Sequence, residues 1–224
     1  MLVELAAAPA AAGLFFMYVK DKYEKEPWRM LLLGLLFGLY TAAVIYPLGR
    51  WLEWRFPHEE TPLYTAFLSS AGVEEGVKFL FLFFLTWLNC NFNEPLDGIV
   101  YAVFLSLGFA WVENIVYVTH PVLGGYETAL VRAALSVPGH GLFGVQMGYH
   151  LGRAKFGMGS RAVQLFLAVA VPYLLHALYN FFLLEKDGAY WLCFAVLEFC
   201  LWGMGIWRIR QFQQASPFRR KFIC

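Results

Sequence analysis

Charge is scarce in this 224-residue chain. Asp, Glu, Lys and Arg make up 15% of it and the formal net charge is +1, where an ordinary soluble domain carries about 25% charged residues. The near-neutral balance excludes a basic nucleic-acid surface. Cysteine is equally sparse: Cys90, Cys193, Cys200 and Cys224 form no CxxC pair and no metal-ligand spacing, which excludes a zinc ribbon or a thiol redox motif. They are expected to act as packing residues, and Cys224 stands last rather than fourth from the end, so it is no prenylation box. There is no HExxH, no ExxH, and no serine or cysteine with a histidine in a recognisable nucleophile motif. The zincin helix, the di-iron carboxylate bundle and the familiar Ser or Cys hydrolases are therefore not the template.

What is abundant is apolar length. Hydrophobic residues make up 60% of the chain and mean hydropathy is +0.56. They come in long blocks, and a membrane-crossing helix needs about 20 mostly apolar residues. Seven blocks reach that length: Val3–Val19, Met30–Leu48, Thr61–Leu88, Leu96–Val118, Thr128–Leu151, Val163–Leu184 and Ala189–Trp207. The expected fold is all-α, one polytopic helix bundle over residues 1–224 with about seven transmembrane helices and no soluble domain. The N-terminal stretch lacks a basic region ahead of its apolar run, so it is expected to be an uncleaved first span. Trp28, Trp51, Trp54, Trp87, Trp191 and Trp207 fall near span ends, as in an interfacial belt. Twelve Lys/Arg residues flank one side of these spans and three the other, so the N-terminus is expected outside and the C-terminus in the cytoplasm.

Ionisable residues inside a span are expensive and default to function. The third span holds Glu74, Glu75 and Lys78, the fourth Glu113, the fifth Arg132 and His140, the sixth His176 and the seventh Glu198; Asn114 and Asn180 accompany them. Glu74 and Glu75 lie four and three residues before Lys78, so either carboxylate meets the ammonium on a helix. Two acids against one ammonium leave one acid to hold a proton or to find a partner on another helix. Phe109 shares a face with Glu113, and His176 with Asn180, each at i,i+4. Counted from the outer ends, Glu74, Glu113, His140 and His176 lie ~8–20 Å deep, and a cluster in the outer half to midplane, sharing one wet cavity, is the expected arrangement. A carboxylate with a raised pKa suits a general base that activates water, while histidine and an asparagine amide suit an oxyanion. The same glutamates and histidines are possible ligands for a zinc-like metal.

The motifs "VEEGVK" (EExxK), "SLGFAWVEN" (FxxxE), the lone His140 and "HALYN" (HxxxN) occur in that order on successive spans. With "EPLDGIVYA" and "KDKYEKEP", they resemble the PrsW family of bacterial intramembrane proteases, over nearly the whole chain. That family is in turn distantly similar to the CAAX prenyl endopeptidases, whose pattern is EExxxR, FxxxH and HxxxN. Lys78 stands one position closer than that arginine, and Glu113 replaces the FxxxH histidine. The resemblance implies a membrane-embedded endopeptidase of the bacterial cell membrane. Its substrate would be a single-span protein, a membrane-anchored anti-sigma factor, cut first on the extracytoplasmic side. It implies that Glu74 and Glu75 carry the catalytic acids, that Glu113, His140, His176 and Asn180 complete the site, and that Lys78 and Phe109 support it. Metal dependence stays open: either none, or one zinc-like divalent ion among Glu74, Glu75, Glu113, His140 and His176.

Plainer roles are expected elsewhere. Arg132 is read as snorkelling, with a substrate carboxylate as the alternative. Glu198 is read as structural, and Asp97 as the cap of the fourth span. The rival functions are a proton-coupled transporter, which usually shows inverted repeats absent here, and a non-catalytic membrane scaffold. Partners are membrane lipids and the protein substrate, with no nucleic acid.

Overall fold

A computed structural model describes residues 2–55, 61–185 and 187–222. The elements in order are α1 (Leu2–Lys20), α2 (Trp28–Arg55), α3 (Pro62–Tyr64), a π-helical segment (Thr65–Gly72), α4 (Val73–Thr86), α5 (Pro95–Val118), α6 (Tyr126–Ala134), α7 (Ser136–Lys155), α8 (Arg161–Leu184), α9 (Gly188–Ala215) and a 3-10 turn (Pro217–Phe222). No strand occurs among the described residues. By length and apolarity α1, α5, α8, α9 and the Trp28–Leu52 part of α2 can each cross a membrane. The other two expected crossings are compound elements. The third runs α3, π segment and α4 without a gap, and the fifth is divided at Leu135 into α6 and α7.

The division at Leu135 has a local cause. Pro138 has no N–H for the carbonyl of Ala134, four residues back, and its ring crowds that carbonyl. Ala134 is where α6 ends. In the first turn of α7 the missing N–H costs nothing, since helix-start N–H groups have no intrahelical partner anyway.

α5 is the hub. It is apolar on all sides, and most of it is buried between α7 on one flank and α2 and α1 on the others. Small residues allow the approach. A Cβ on Gly148 would run into the backbone of Gly98 and Ile99, and a Cβ on Gly38 into the Leu105 carbonyl. Lipid gives helices little hydrophobic reason to associate, so such close backbone packing carries the assembly. At its start α5 has Pro95 in the first turn, and Asp97 Oδ2 accepts the N–H groups of Asn93 and Glu94 at 2.8 Å each. The capping expected of Asp97 is present.

Cysteine breaks its expectation. Cys90, Cys193 and Cys200 are exposed rather than packed: Cys193 and Cys200 lie on the outer face of α9, where lipid accepts a thiol as a core does, and Cys90 lies in the connection between α4 and α5. Cys224 lies outside the described residues. Glu198 accepts the Trp202 indole N–H at 3.0 Å.

Candidate active site

The site grows from the α4 register. Glu74 and Glu75 open the helix and Lys78 follows one turn on, so its ammonium meets both carboxylates: Glu75 Oε1 at 2.8 Å and Glu74 Oε2 at 3.4 Å. The third ammonium proton goes to His140 Nδ1 on α7, at 3.2 Å. Nζ also lies 4.1 Å from the centre of the Phe109 ring on α5, a cation–π contact. Lys78 is fully buried with all its donors engaged.

These contacts fix the histidine tautomers. An ammonium only donates, so His140 Nδ1 accepts, and its Nε2–H donates to Glu113 Oε2 at 2.9 Å. A carboxylate only accepts, so His176 Nδ1–H donates to Glu75 Oε1 at 2.9 Å, leaving Nε2 with its lone pair. The His176 ring is held flat against Phe143, centroids 4.7 Å apart, with the His140 ring edge-on at 5.1 Å.

Two further chains of hydrogen bonds complete the ring of helices. Arg132 on α6 donates to Glu113 Oε2 at 2.6 Å and to Asn114 Oδ1 at 2.9 Å, while Asn114 donates to the Ala6 carbonyl of α1 at 2.8 Å. Asn180 on α8 donates to Ser70 Oγ at 2.9 Å, and Ser70 donates to Glu74 Oε1 at 3.0 Å. Ser70 lies in the π segment, a helix form frequent at functional sites.

All the expected site residues are therefore brought together: Glu74, Glu75, Glu113, His140, His176 and Asn180, with Lys78 and Phe109 behind them. The snorkelling expected of Arg132 is overturned, because its guanidinium is bound to Glu113 and Asn114 and lies over the Tyr117 ring at 4.1 Å. Three carboxylates face two fixed cations, Lys78 and Arg132. A cavity of about 210 Å³ opens beside the group, walled by Glu113, Arg132, His140, His176, Asn180 and Ser70. Glu74 and Glu75 do not line it; Glu75 is wholly buried and one of its oxygens, Oε2, meets no donor. A larger groove of about 380 Å³ between α1, α5, α7 and α9 holds no titratable group.

The model of the family described as PrsW family intramembrane metalloprotease matches residues 26–209. The chain belongs to the PrsW family. It is 36% identical over 215 residues to a Protease PrsW of Geobacillus kaustophilus, covering 94% of this chain and 91% of that one. A Protease PrsW of Bacillus subtilis is 34% identical, with 92% of each chain covered, and one of Clostridioides difficile is 33% identical, with 95% and 91% covered. No solved structure matches the chain. As a PrsW member with several membrane-length helices, it is a membrane-embedded protease, a multi-pass protein of the bacterial membrane.

The family's description names a metal, and the donor chemistry here fits one. Glu74, Glu75, His140 and His176 each offer a ligand atom, all within 4.8 Å of one another, and carboxylate and imidazole are zinc ligands. The Lys78 ammonium already stands within 3.4 Å of three of the four as a stand-in cation. Glu113, expected as a possible ligand, is outside this group and is held by His140 and Arg132 instead.

Ser70, Arg132 and Phe143 are the parts that sequence reasoning missed as members of the site. Ser70 carried a signal, since it stands four residues before Glu74. Arg132 also carried one, being a second in-span cation where one acid lacked a partner.

Proposed function

We propose that the protein hydrolyses a peptide bond of a membrane-anchored substrate, with water activated at His176 on the wall of the cavity. The observation that supports this is the Glu75–His176 contact. Glu75 Oε1 takes the Nδ1–H, so the ring is oriented and its Nε2 is the basic nitrogen. A carboxylate that holds an imidazole this way stabilises the cation formed when Nε2 takes a proton from water. This moves the base from the glutamate pair to the histidine, because Glu75 is buried away from the cavity. Lys78 pairs with the same Glu75 oxygen at 2.8 Å. His140 Nε2–H and the Arg132 guanidinium both face Glu113, and their positive edges suit the developing oxyanion, while the His176 imidazolium returns its proton to the leaving amine as the C–N bond breaks. Asn180 and Ser70 hold the far wall.

Where a metal is resident, Glu74, Glu75, His140 and His176 are the residues that would hold it, and it would supply a Lewis acid and acidify bound water. The substrate is a single-span membrane protein, and by the family resemblance an anti-sigma factor. The Lys/Arg asymmetry supports a cavity in the extracytoplasmic half, in keeping with a first cut on that side.

The test reconstitutes purified protein in liposomes with a single-span substrate. Glu75→Gln and His176→Ala should each slow cleavage at least ~100-fold. The reading is lost if wild type never cuts, or if both variants cut at the wild-type rate. A chelator that stops cleavage, with zinc restoring it, marks a resident metal.

A further inference from the structure

A second buried acidic group lies sixteen residues before Glu113 on α5, roughly 24 Å away along the helix. Glu24 and Glu26 come from the α1–α2 connection and Asp97 from the first turn of α5. One oxygen of each lies within 4.8 Å of the others. Asp21 and Glu94 are within electrostatic reach. Asp21, Glu26 and Asp97 are 1%, 3% and 0% exposed, and Glu24 is half-buried at the rim.

The oxygens divide in a regular way. One oxygen of each of Asp21, Glu24, Glu26 and Asp97 is held by a donor, while Glu94 is buried with neither oxygen held. Asp21 Oδ2 takes the Glu26 N–H at 3.1 Å, Glu24 Oε1 the Asn93 amide at 3.3 Å, and Glu26 Oε2 the Tyr101 hydroxyl, while Asp97 Oδ2 takes two backbone N–H groups. The other oxygen of each, namely Asp21 Oδ1, Glu24 Oε2, Glu26 Oε1 and Asp97 Oδ1, is buried and meets no donor. A buried acceptor without a partner costs about 1–3 kcal/mol, more when charged, so four together need an explanation. The neighbouring lysines do not supply it. Lys155 gives its protons to the carbonyls of Thr86, Trp87 and Asn89, and Lys25 to that of Tyr18. No ion pair among the described residues reaches Glu26 or Asp97. A proton shared between Glu26 and Asp97 satisfies that pair alone and leaves Asp21 Oδ1 and Glu24 Oε2 as they are.

We propose that Glu24, Glu26 and Asp97, with Asp21 beside them, bind a hard divalent cation of the calcium or magnesium class, which clamps the α1–α2 connection onto the start of α5. The donors are all oxygen, the set such ions select, and no imidazole or thiolate is present to favour zinc. Each acid is pre-oriented by its one satisfied oxygen, so the free oxygen is presented rather than loose. The half-buried Glu24 gives the ion its way in. The site is independent of the catalytic group and of the reading given to it.

The experiment uses the purified full chain in detergent, stripped with EDTA, with terbium as the probe and calcium and magnesium as competitors. The Tyr101 hydroxyl touches Glu26, so it is placed to sensitise terbium emission. Wild type should show tyrosine-sensitised emission that calcium or magnesium displaces, and either ion should raise Tm. Glu26→Gln and Asp97→Asn should abolish both responses, and Glu24→Gln, at the rim, should weaken the ion at least about tenfold by removing one ligand charge. Glu75→Gln should keep both responses. The proposal is overturned if wild type shows neither emission nor a cation-dependent Tm, if the three acid variants respond like wild type, or if Glu75→Gln is the variant that loses the response. It is also overturned if Glu26→Gln melts above wild type with no cation effect on either, the result expected of a shared proton.

Discussion

Arg132 Nη2 lies 2.6 Å from Glu113 Oε2, and the same oxygen accepts the His140 Nε2–H at 2.9 Å. One carboxylate oxygen thus joins α5, α6 and α7. Removing one partner of such a buried pair leaves a charge unpaired, which costs about 3–5 kcal/mol. Arg132→Met should therefore lower the melting temperature in detergent and slow cleavage, whereas Arg132→Lys should recover part of the stability but not the contact with Asn114. Snorkelling would predict no effect on either readout.

Lys78→Met should be more disruptive than either glutamate change. It leaves Glu74 and Glu75 without their cation and His140 Nδ1 without a donor. The expected loss is about 3–5 kcal/mol. Added zinc should raise the Tm of Lys78→Met more than that of wild type, because the ammonium no longer competes for the donors. Equal responses would count against the four-residue donor set.

Ser70→Ala removes the hydroxyl that links Asn180 to Glu74. Two neutral or charge-assisted hydrogen bonds are lost at about 1–2 kcal/mol each, about 2–4 kcal/mol together, so the cleavage rate should fall by roughly thirty- to several-hundredfold, read in liposomes. Asn180→Ala removes only the first of these bonds and should give a smaller loss, and the double variant should be little worse than Ser70→Ala, since both break one chain.

Gly148→Ala tests the α5–α7 contact. The added methyl meets the Gly98 backbone, which is not the far end of a flexible side chain and cannot turn away. Overpacking of this kind costs about 1–3 kcal/mol. Gly203→Ala, where a Cβ meets nothing, is the control and should be neutral or slightly stabilising. Melting temperature in detergent reads both.

Much of this was legible in the sequence, for identifiable reasons. Span positions follow from apolar length alone, and the Glu74–Lys78 and Glu75–Lys78 pairs follow from helical periodicity. What was not legible depends on rotation between helices. Nothing in the spacing says that Glu113 turns toward both His140 and Arg132, or that Glu75 faces His176 rather than the cavity. The break at Leu135 was half-visible: Pro138, Gly139 and Gly141 signal a loosened helix, but the place of the break is set by the Ala134 carbonyl that Pro138 cannot serve. Ser70 stands at helical spacing from Glu74, and its hydroxyl acquires a role through the π segment.

The position of α5 at the hub has a consequence for biogenesis. The chain emerges from the ribosome in order, so α1 and α2 are in the bilayer before α5, and α7 only afterwards. When α5 first enters, its Asn114 amide already has the Ala6 carbonyl to meet, but Glu113 has neither Arg132 nor His140. For that interval the helix carries an unmatched acid. Translation and folding are thereby linked, and a chain interrupted between α5 and α7 should be a substrate for membrane quality control rather than a half-assembled bundle.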